Sequence, residues 1–184
     1  MIKEEIKVVK RDGRIEELDL NKLHLMVEEA CKGISGVSAS QVEIQSHLSF
    51  YDGISTADIQ QTLIRSASDL ISLEYPNYQY VAARLLLFSL RKSIYGRMWD
   101  AWSLREQIDY GIERGVYDPA ILEYYTDGEL ETLNSYVDHD RDLKFTYAGL
   151  RQVYDKYLCQ DRSSGEIYET PQYMYMLIAA TIFH

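Results

Sequence analysis

At 184 residues, 46% of them hydrophobic, the chain can bury one ordinary core or two small ones, which excludes a disordered or fibrous class. Its net charge of −10 is uneven: residues 1–96 carry 11 Lys+Arg against 13 Asp+Glu, and residues 97–184 carry 8 against 16. That balance argues against a nucleic-acid surface and leaves basic groups only in concentrations suited to a single nucleotide, at the N-terminal hairpin and at Arg91-Lys92.

The two cysteines, Cys31 and Cys159, have neither metal spacing nor a CxxC pairing and read as buried free thiols in a reducing cytoplasm. No apolar run approaches the length of a membrane span and no signal-like start is present, so the expectation is a soluble cytoplasmic protein with no membrane or nucleic-acid partner.

In chain order, Val8 to Leu18 comes first. Asp12-Gly13 between two short β-rich runs predicts a hairpin with a two-residue type I′ turn, pairing Arg11 with Arg14, Lys10 with Ile15, Val9 with Glu16 and Val8 with Glu17. In that register Val9, Arg11, Arg14 and Glu16 share a face, and two adjacent arginines repel unless an anion lies between them. The alternative is a solvated basic turn on an edge hairpin. Asp19 then caps a helix with Leu23, Met26, Val27, Ala30 and Cys31 on one face, stopped by Gly33. Ser38 and Gln41 form a capping box for a second helix through Val42, Ile44 and Leu48, which ends at Tyr51-Asp52-Gly53. A third helix starts at Ser55 or Thr56, with Ile59, Leu63, Ile64, Ala67, Leu70 and Ile71 as its stripe and Thr56 and Gln60 sharing another face. The fourth runs from near Pro76 to Tyr95. The fold class predicted is mainly α (α+β), a short hairpin over a four-helix bundle occupying residues 1–96.

Residues 97–184 form a second, acidic, tyrosine-rich unit. Helices are expected over about Leu104–Arg114, Pro119–Tyr125, Asp127–Val137 and Tyr147–Leu158, with turn chemistry at 161–166. Pro171 opens a last helix, Gln172 to His184, with almost no polar face; such a helix needs covering, so the chain reads as the opening portion of a larger molecule or one half of a split one. Asp138, Asp140 and Asp142 alternate with His139 and Arg141 and lack a ligand loop, which reads as a solvated or ion-paired segment. His24 sits on a helix that already has a structural role.

The order of parts matches a known family. Val8-Val9-Lys10-Arg11-Asp12-Gly13-Arg14, Leu20-Asn21-Lys22, Phe50-Tyr51-Asp52-Gly53-Ile54, Thr56-Ala57-Asp58-Ile59 and Tyr78 to Arg84 running on to Leu90-Arg91-Lys92 resemble the ATP-cone, the allosteric module of ribonucleotide reductase large subunits. Tyr117-Asp118, residues 138–142, Phe145-Thr146-Tyr147, Lys156-Tyr157-Leu158 and Gly165 to Gln172 resemble the helical segment before the catalytic barrel of class I enzymes. The resemblance implies ATP as activator and dATP as inhibitor, with Mg2+. By family match Lys10, Arg11 and Lys92 hold the triphosphate, with Lys22 reaching from the first helix. Glu16 and Thr56 contact or orient the base, and Val8 packs on the ring. Gln60 stands where the family carries a histidine tied to sensing the inhibitory nucleotide, which bears on dATP inhibition more than on ATP binding.

The family's catalytic cysteines have no counterpart here, so no catalytic residue and no metal ligand is expected, and the chain alone should lack reductase activity. The implied partners are the rest of the large subunit, fused or separate, and the radical-generating small (beta) subunit, in an oligomer. Two other readings are a decayed cone kept as an interaction surface, opposed by the joint presence of the nucleotide residues, and a cone-bearing transcriptional regulator, opposed by the lack of a zinc motif.

Overall fold

The computed structural model describes residues 6–47 and 49–184, and its internal contacts divide them into two compact units. The first runs through Ser89 and takes in Phe145–Ala148; the second comprises Leu90–Lys144 and Gly149–His184.

In the first unit β1 (Lys7–Val9) and β2 (Ile15–Glu17) form an antiparallel hairpin, followed by α1 (Leu20–Cys31), α2 (Ala39–His47), β3 (Ile54–Ser55), α3 (Thr56–Asp69) and α4 (Tyr78–Tyr95), whose last turns pass into the second unit. The hairpin register differs from the sequence expectation by one residue: Val9 faces Ile15, Val8 faces Glu16 and Lys7 faces Glu17. The cause is the turn. Gly13 N–H donates to Lys10 O at 3.0 Å and Lys10 N–H to Arg14 O at 2.8 Å, which makes a three-residue loop with Gly13 at φ +82°. Asp12 keeps ordinary negative φ, because its carboxylate accepts the Arg14 N–H at 3.1 Å and the Arg14 guanidinium at 2.7 Å. Val8, Lys10, Arg14 and Glu16 therefore share a face, and Arg11 sits in the loop.

The pairing of β1 with β3 was not foreseen, since two residues are too few to show a period. Val8 lies in parallel register with Ile54 and Val9 with Ser55, giving the order β2-β1-β3. Asp52 anchors this edge by accepting the Lys7 N–H at 2.8 Å.

Asp19 caps α1 as expected, and Arg84 on α4 closes the other end by donating to Ala30 O and Lys32 O. At α2 the expected Ser38–Gln41 box gives way to Tyr78. Its hydroxyl accepts the Ser38 N–H at 3.0 Å and donates to Gln41 Oε1 at 2.5 Å, so a tertiary contact takes over a local one. Ile44 is exposed, and Leu48 lies outside the described residues. The stripe of α3 ends at Ala67, because the helix stops at Asp69 and leaves Ile71 beyond it. Buried Val81, Ala82, Ala83, Leu87 and Phe88 lie on every side of α4, so this helix is enclosed rather than amphipathic.

The second unit holds α5 (Leu104–Glu113), α6 (Ile121–Tyr124), α7 (Asp127–Ser135), a 3-10 helix (His139–Lys144), α8 (Tyr147–Lys156) beyond its first turn, and α9 (Pro171–Ile182). Reciprocal capping boxes, Ser103 with Glu106 and Thr126 with Glu129, start α5 and α7. Its core is partly polar. Buried Gln107 donates to Tyr117 Oη and Tyr168 O and accepts from the Tyr95 hydroxyl, while Tyr117 donates to buried Glu169 at 2.6 Å. One face of α9 is buried through Tyr173, Met174, Leu177 and Ala180; Tyr175, Ile178, Ile182 and Phe183 are exposed.

Of the two readings of the acidic segment, solvated or ion-paired, the structure shows ion pairs. Asp138 pairs with Arg141 at the surface, but Asp142 is 1% exposed, because the 3-10 helix turns it inward.

Candidate nucleotide-binding site

The residues expected at the site come from the hairpin, α1, α3 and α4. Val8, 2% exposed, is the hairpin's anchor in the core. Lys10 and Glu16, on that same hairpin face, pair at 3.2 Å, and Arg14 reaches Glu16 at 3.5 Å as well as Asp12. These ion pairs are substantially open to solvent, where such pairs contribute little, so a polyanion can displace the carboxylates at small cost. The Asp12 carboxyl is held below its ordinary range chiefly by the hydrogen bond from the Arg14 guanidinium.

β3 delivers α3 to the hairpin. Ser55, in register with Val9, caps the helix by accepting the Asp58 N–H at 3.0 Å, and Thr56 is the first helical residue. Gln60, one turn on, is 6% exposed. Its Oε1 accepts from Arg11 Nη2 at 3.4 Å and from the Ser89 hydroxyl at 3.3 Å, and its Nε2 faces Met26 Sδ at 4.0 Å. The loop of the hairpin is thereby tied to α3, and α3 to α4. Sequence reasoning placed Met26 only in a packing stripe and missed Ser89, although Ser89 precedes Lys92 by one helical turn and that spacing was a usable signal.

Not every expected residue joins this cluster. Lys22 pairs with the capping Asp19 at 3.5 Å and is largely exposed. Lys92 stands in the last turn of α4, within the second unit. Among the described residues no group of three His, Cys, Asp or Glu is placed to hold a metal ion, and no helix is long and apolar enough to cross a membrane. At the neutral amide of Gln60 the donors are Arg11 from the hairpin loop and Ser89 from α4, while Lys10 and Arg14 stay paired with Glu16 on the hairpin.

Comparison with known proteins identifies both parts of the chain. Residues 6–93 match the ATP cone domain, and residues 143–184 match the ribonucleotide reductase all-alpha domain. The chain is 47% identical over 176 residues to ribonucleoside-diphosphate reductase 1 subunit alpha of Escherichia coli (strain K12), covering 96% of this chain and 23% of that protein. It is 46% identical over 176 residues to the subunit alpha of Haemophilus influenzae and 39% identical over 179 residues to that of Enterobacteria phage T4, each match covering 96% of this chain and 23% of the relative. The chain thus spans about a quarter of the length of these relatives. With a cone followed by the all-alpha domain in the same order, it belongs with the N-terminal regions of ribonucleoside-diphosphate reductase alpha subunits.

Proposed function

We propose that this chain is the effector-binding portion of a ribonucleoside-diphosphate reductase large subunit, with residues 1–96 as the regulatory domain and 97–184 as the opening of the helical core. The observation that carries this is the tie from Arg11 in the hairpin loop to Gln60 on α3, which holds a cationic loop against the helices within the stretch that matches an ATP cone. In this reading Lys10 and Arg11 grip the phosphates of ATP or dATP as charge-assisted donors, with Lys92 and Lys22 adding charge. Thr56 and Glu16 orient the base, Val8 forms the floor beneath the ring, and Gln60 lies under the loop. Displacing Glu16 from Lys10 is part of binding and frees the carboxylate for the base.

Magnesium fits as an ion carried on the phosphate oxygens and water, its usual mode, rather than in a cage of protein carboxylates. The remainder of the large subunit supplies the reductase chemistry, and the radical-generating beta subunit acts with it in a cytoplasmic oligomer. Titration calorimetry of the chain with ATP and dATP tests the reading. One saturable site is expected, weakened by about 1.5–3 kcal/mol in each of Lys10→Ala and Arg11→Ala. Unchanged affinity in both variants would remove the hairpin from the site, and absence of any binding would favour a decayed cone.

A further inference from the structure

Among the described residues three buried side-chain atoms of the second unit lack hydrogen-bond partners, Arg91 Nε, His139 Nδ1 and Asp142 Oδ2, and Arg91 links the other two residues through the His139 carbonyl and the Asp142 carboxylate. Arg91, 4% exposed, comes from the last turns of α4 and donates through Nη2 to the carbonyl of His139 at 2.7 Å. Asp142, from the 3-10 helix, accepts from Gln172 Nε2 at 2.8 Å, in the first turn of α9. The His139 ring packs edge-on against Tyr173, also in that turn. Between guanidinium and carboxylate a gap of 3.9 Å remains, too long for a hydrogen bond.

A buried ion pair left at that distance keeps most of its Coulomb attraction but forgoes the charge-assisted hydrogen bond, and a half-satisfied polar network is costly. Burial also pushes the Asp142 carboxyl up to about 6, as befits a carboxylate with an incomplete set of donors. A shift of about an ångström would bring Arg91 Nη2 to charge-assisted hydrogen-bond distance of Asp142 Oδ2. Packed elements that can satisfy the same groups in two ways tend to switch between discrete arrangements rather than deform continuously.

We infer that Arg91 and Asp142 form a latch with an open arrangement, seen here, and a closed one in which they pair directly, and that nucleotide at the cone favours the closed one. The inference rests on the function proposed above, through Lys92. Arg91 directly precedes Lys92 on α4, so a triphosphate that fixes Lys92 orders the same helical turn that carries Arg91. Closing the latch draws on Asp142, hence on Gln172 and the first turn of α9, while the His139 carbonyl holds the 3-10 helix to the same guanidinium. Arg91 is in this sense a positioning residue for the start of the all-alpha domain.

Hydrogen exchange of the full chain with and without ATP, alongside calorimetry, tests it. In the wild type, ATP should slow exchange of the amides in residues 139–144 and 171–176 by about fivefold or more, the low end of ordinary coupling between sites. Arg91→Lys keeps the charge but loses the planar fork, and Asp142→Asn keeps the shape but loses the charge. Each should lose most of that response and, because the coupling is reciprocal, bind ATP about fivefold more weakly than wild type. ATP binding with no change in exchange at 139–144 and 171–176 in the wild type overturns the latch and leaves the proposed function standing. A response that survives both substitutions overturns it as well. No binding of ATP removes the proposed function and the latch together.

Discussion

Arg11 and Gln60 meet at 3.4 Å through a guanidinium donor and an amide oxygen, and the same oxygen takes the Ser89 hydroxyl. The amide stays neutral across the physiological range, whereas an imidazole titrates there and can repel Arg11 when protonated. Gln60→His is therefore expected to change the ratio of dATP to ATP affinity and to make it depend on pH between about 6 and 7. Parallel calorimetry at two pH values measures this. An identical ratio in both proteins at both pH values would show that position 60 takes no part in discrimination.

The three-residue hairpin loop makes a separate prediction. Gly13 is at φ +82° with open space where a Cβ would stand, so Gly13→Ala is expected to cost about 1–2 kcal/mol from backbone strain alone. Asp12 is not left-handed, so Asp12→Gly should destabilise by removing the carboxylate that accepts from Arg14. A type I′ turn would instead be relieved by glycine at that position, so the sign of the Asp12→Gly change in a denaturant melt distinguishes the two loops.

Elements whose signals are local were legible in the sequence. Asp19 capping α1 and Pro171 opening α9 are short-range chemistry, and the structure keeps both. The capping boxes of Ser103 with Glu106 and Thr126 with Glu129 are equally local and went unread, although their spacing is written in the chain. What escaped depended on partners far away in sequence. Tyr78 takes over the hydrogen bonding of Ser38 and Gln41, and β3 exists because β1 offers it a free edge. The hairpin register was missed for a local reason: Asp-Gly suits both a type I′ turn and the last two positions of a three-residue loop, and the Asp12–Arg14 contact decides between them. At the site, the cations of the hairpin could be read directly, whereas the tie of Arg11 to Gln60 and Ser89 required knowing which face α3 and α4 turn toward each other.

Gly111 in α5 is a helical glycine that packing requires. A Cβ there would stand 1.9 Å from Tyr117 Cδ2, and the ring cannot withdraw freely because its hydroxyl is held by Glu169 at 2.6 Å and the Tyr117 N–H by Gly111 O at 3.1 Å. Glycine to alanine within a helix ordinarily stabilises by about 1 kcal/mol. Here the overlap reverses the sign, and Gly111→Ala is expected to destabilise by about 1–3 kcal/mol. Calorimetric melting of Gly111→Ala, Tyr117→Ala and the double variant should show strong non-additivity, with the second substitution relieving the first. Additive effects would mean that the ring does not set the requirement.

The pair His139 and Asp142 leads to the last prediction, a pH response that nearly cancels. Burial, with a smaller contribution from the Arg91 charge, lowers the His139 imidazole from 6.5 to about 4. The folded state then binds fewer protons than the unfolded state between those values, so this group's contribution to stability is lost as pH falls from 6.5 toward 4. Burial raises the Asp142 carboxyl from 3.8 to about 6, partly offset by Gln172 and Arg91. The folded state then binds more protons than the unfolded state over that window, and this group's contribution grows as pH falls from 6 toward 4. The two slopes oppose each other across nearly the same range, with Arg91, Asp138 and Asp140 as the charged neighbours. Chemical denaturation at pH 7, 5.5 and 4.5 should therefore show the two substitutions diverging from the wild type in opposite directions. Asp142→Asn should lose ground relative to wild type on acidification, because it can no longer gain from protonation, and His139→Gln should gain ground over the same interval. Parallel profiles for all three proteins would mean that neither group titrates in the buried position described, whatever the absolute stabilities.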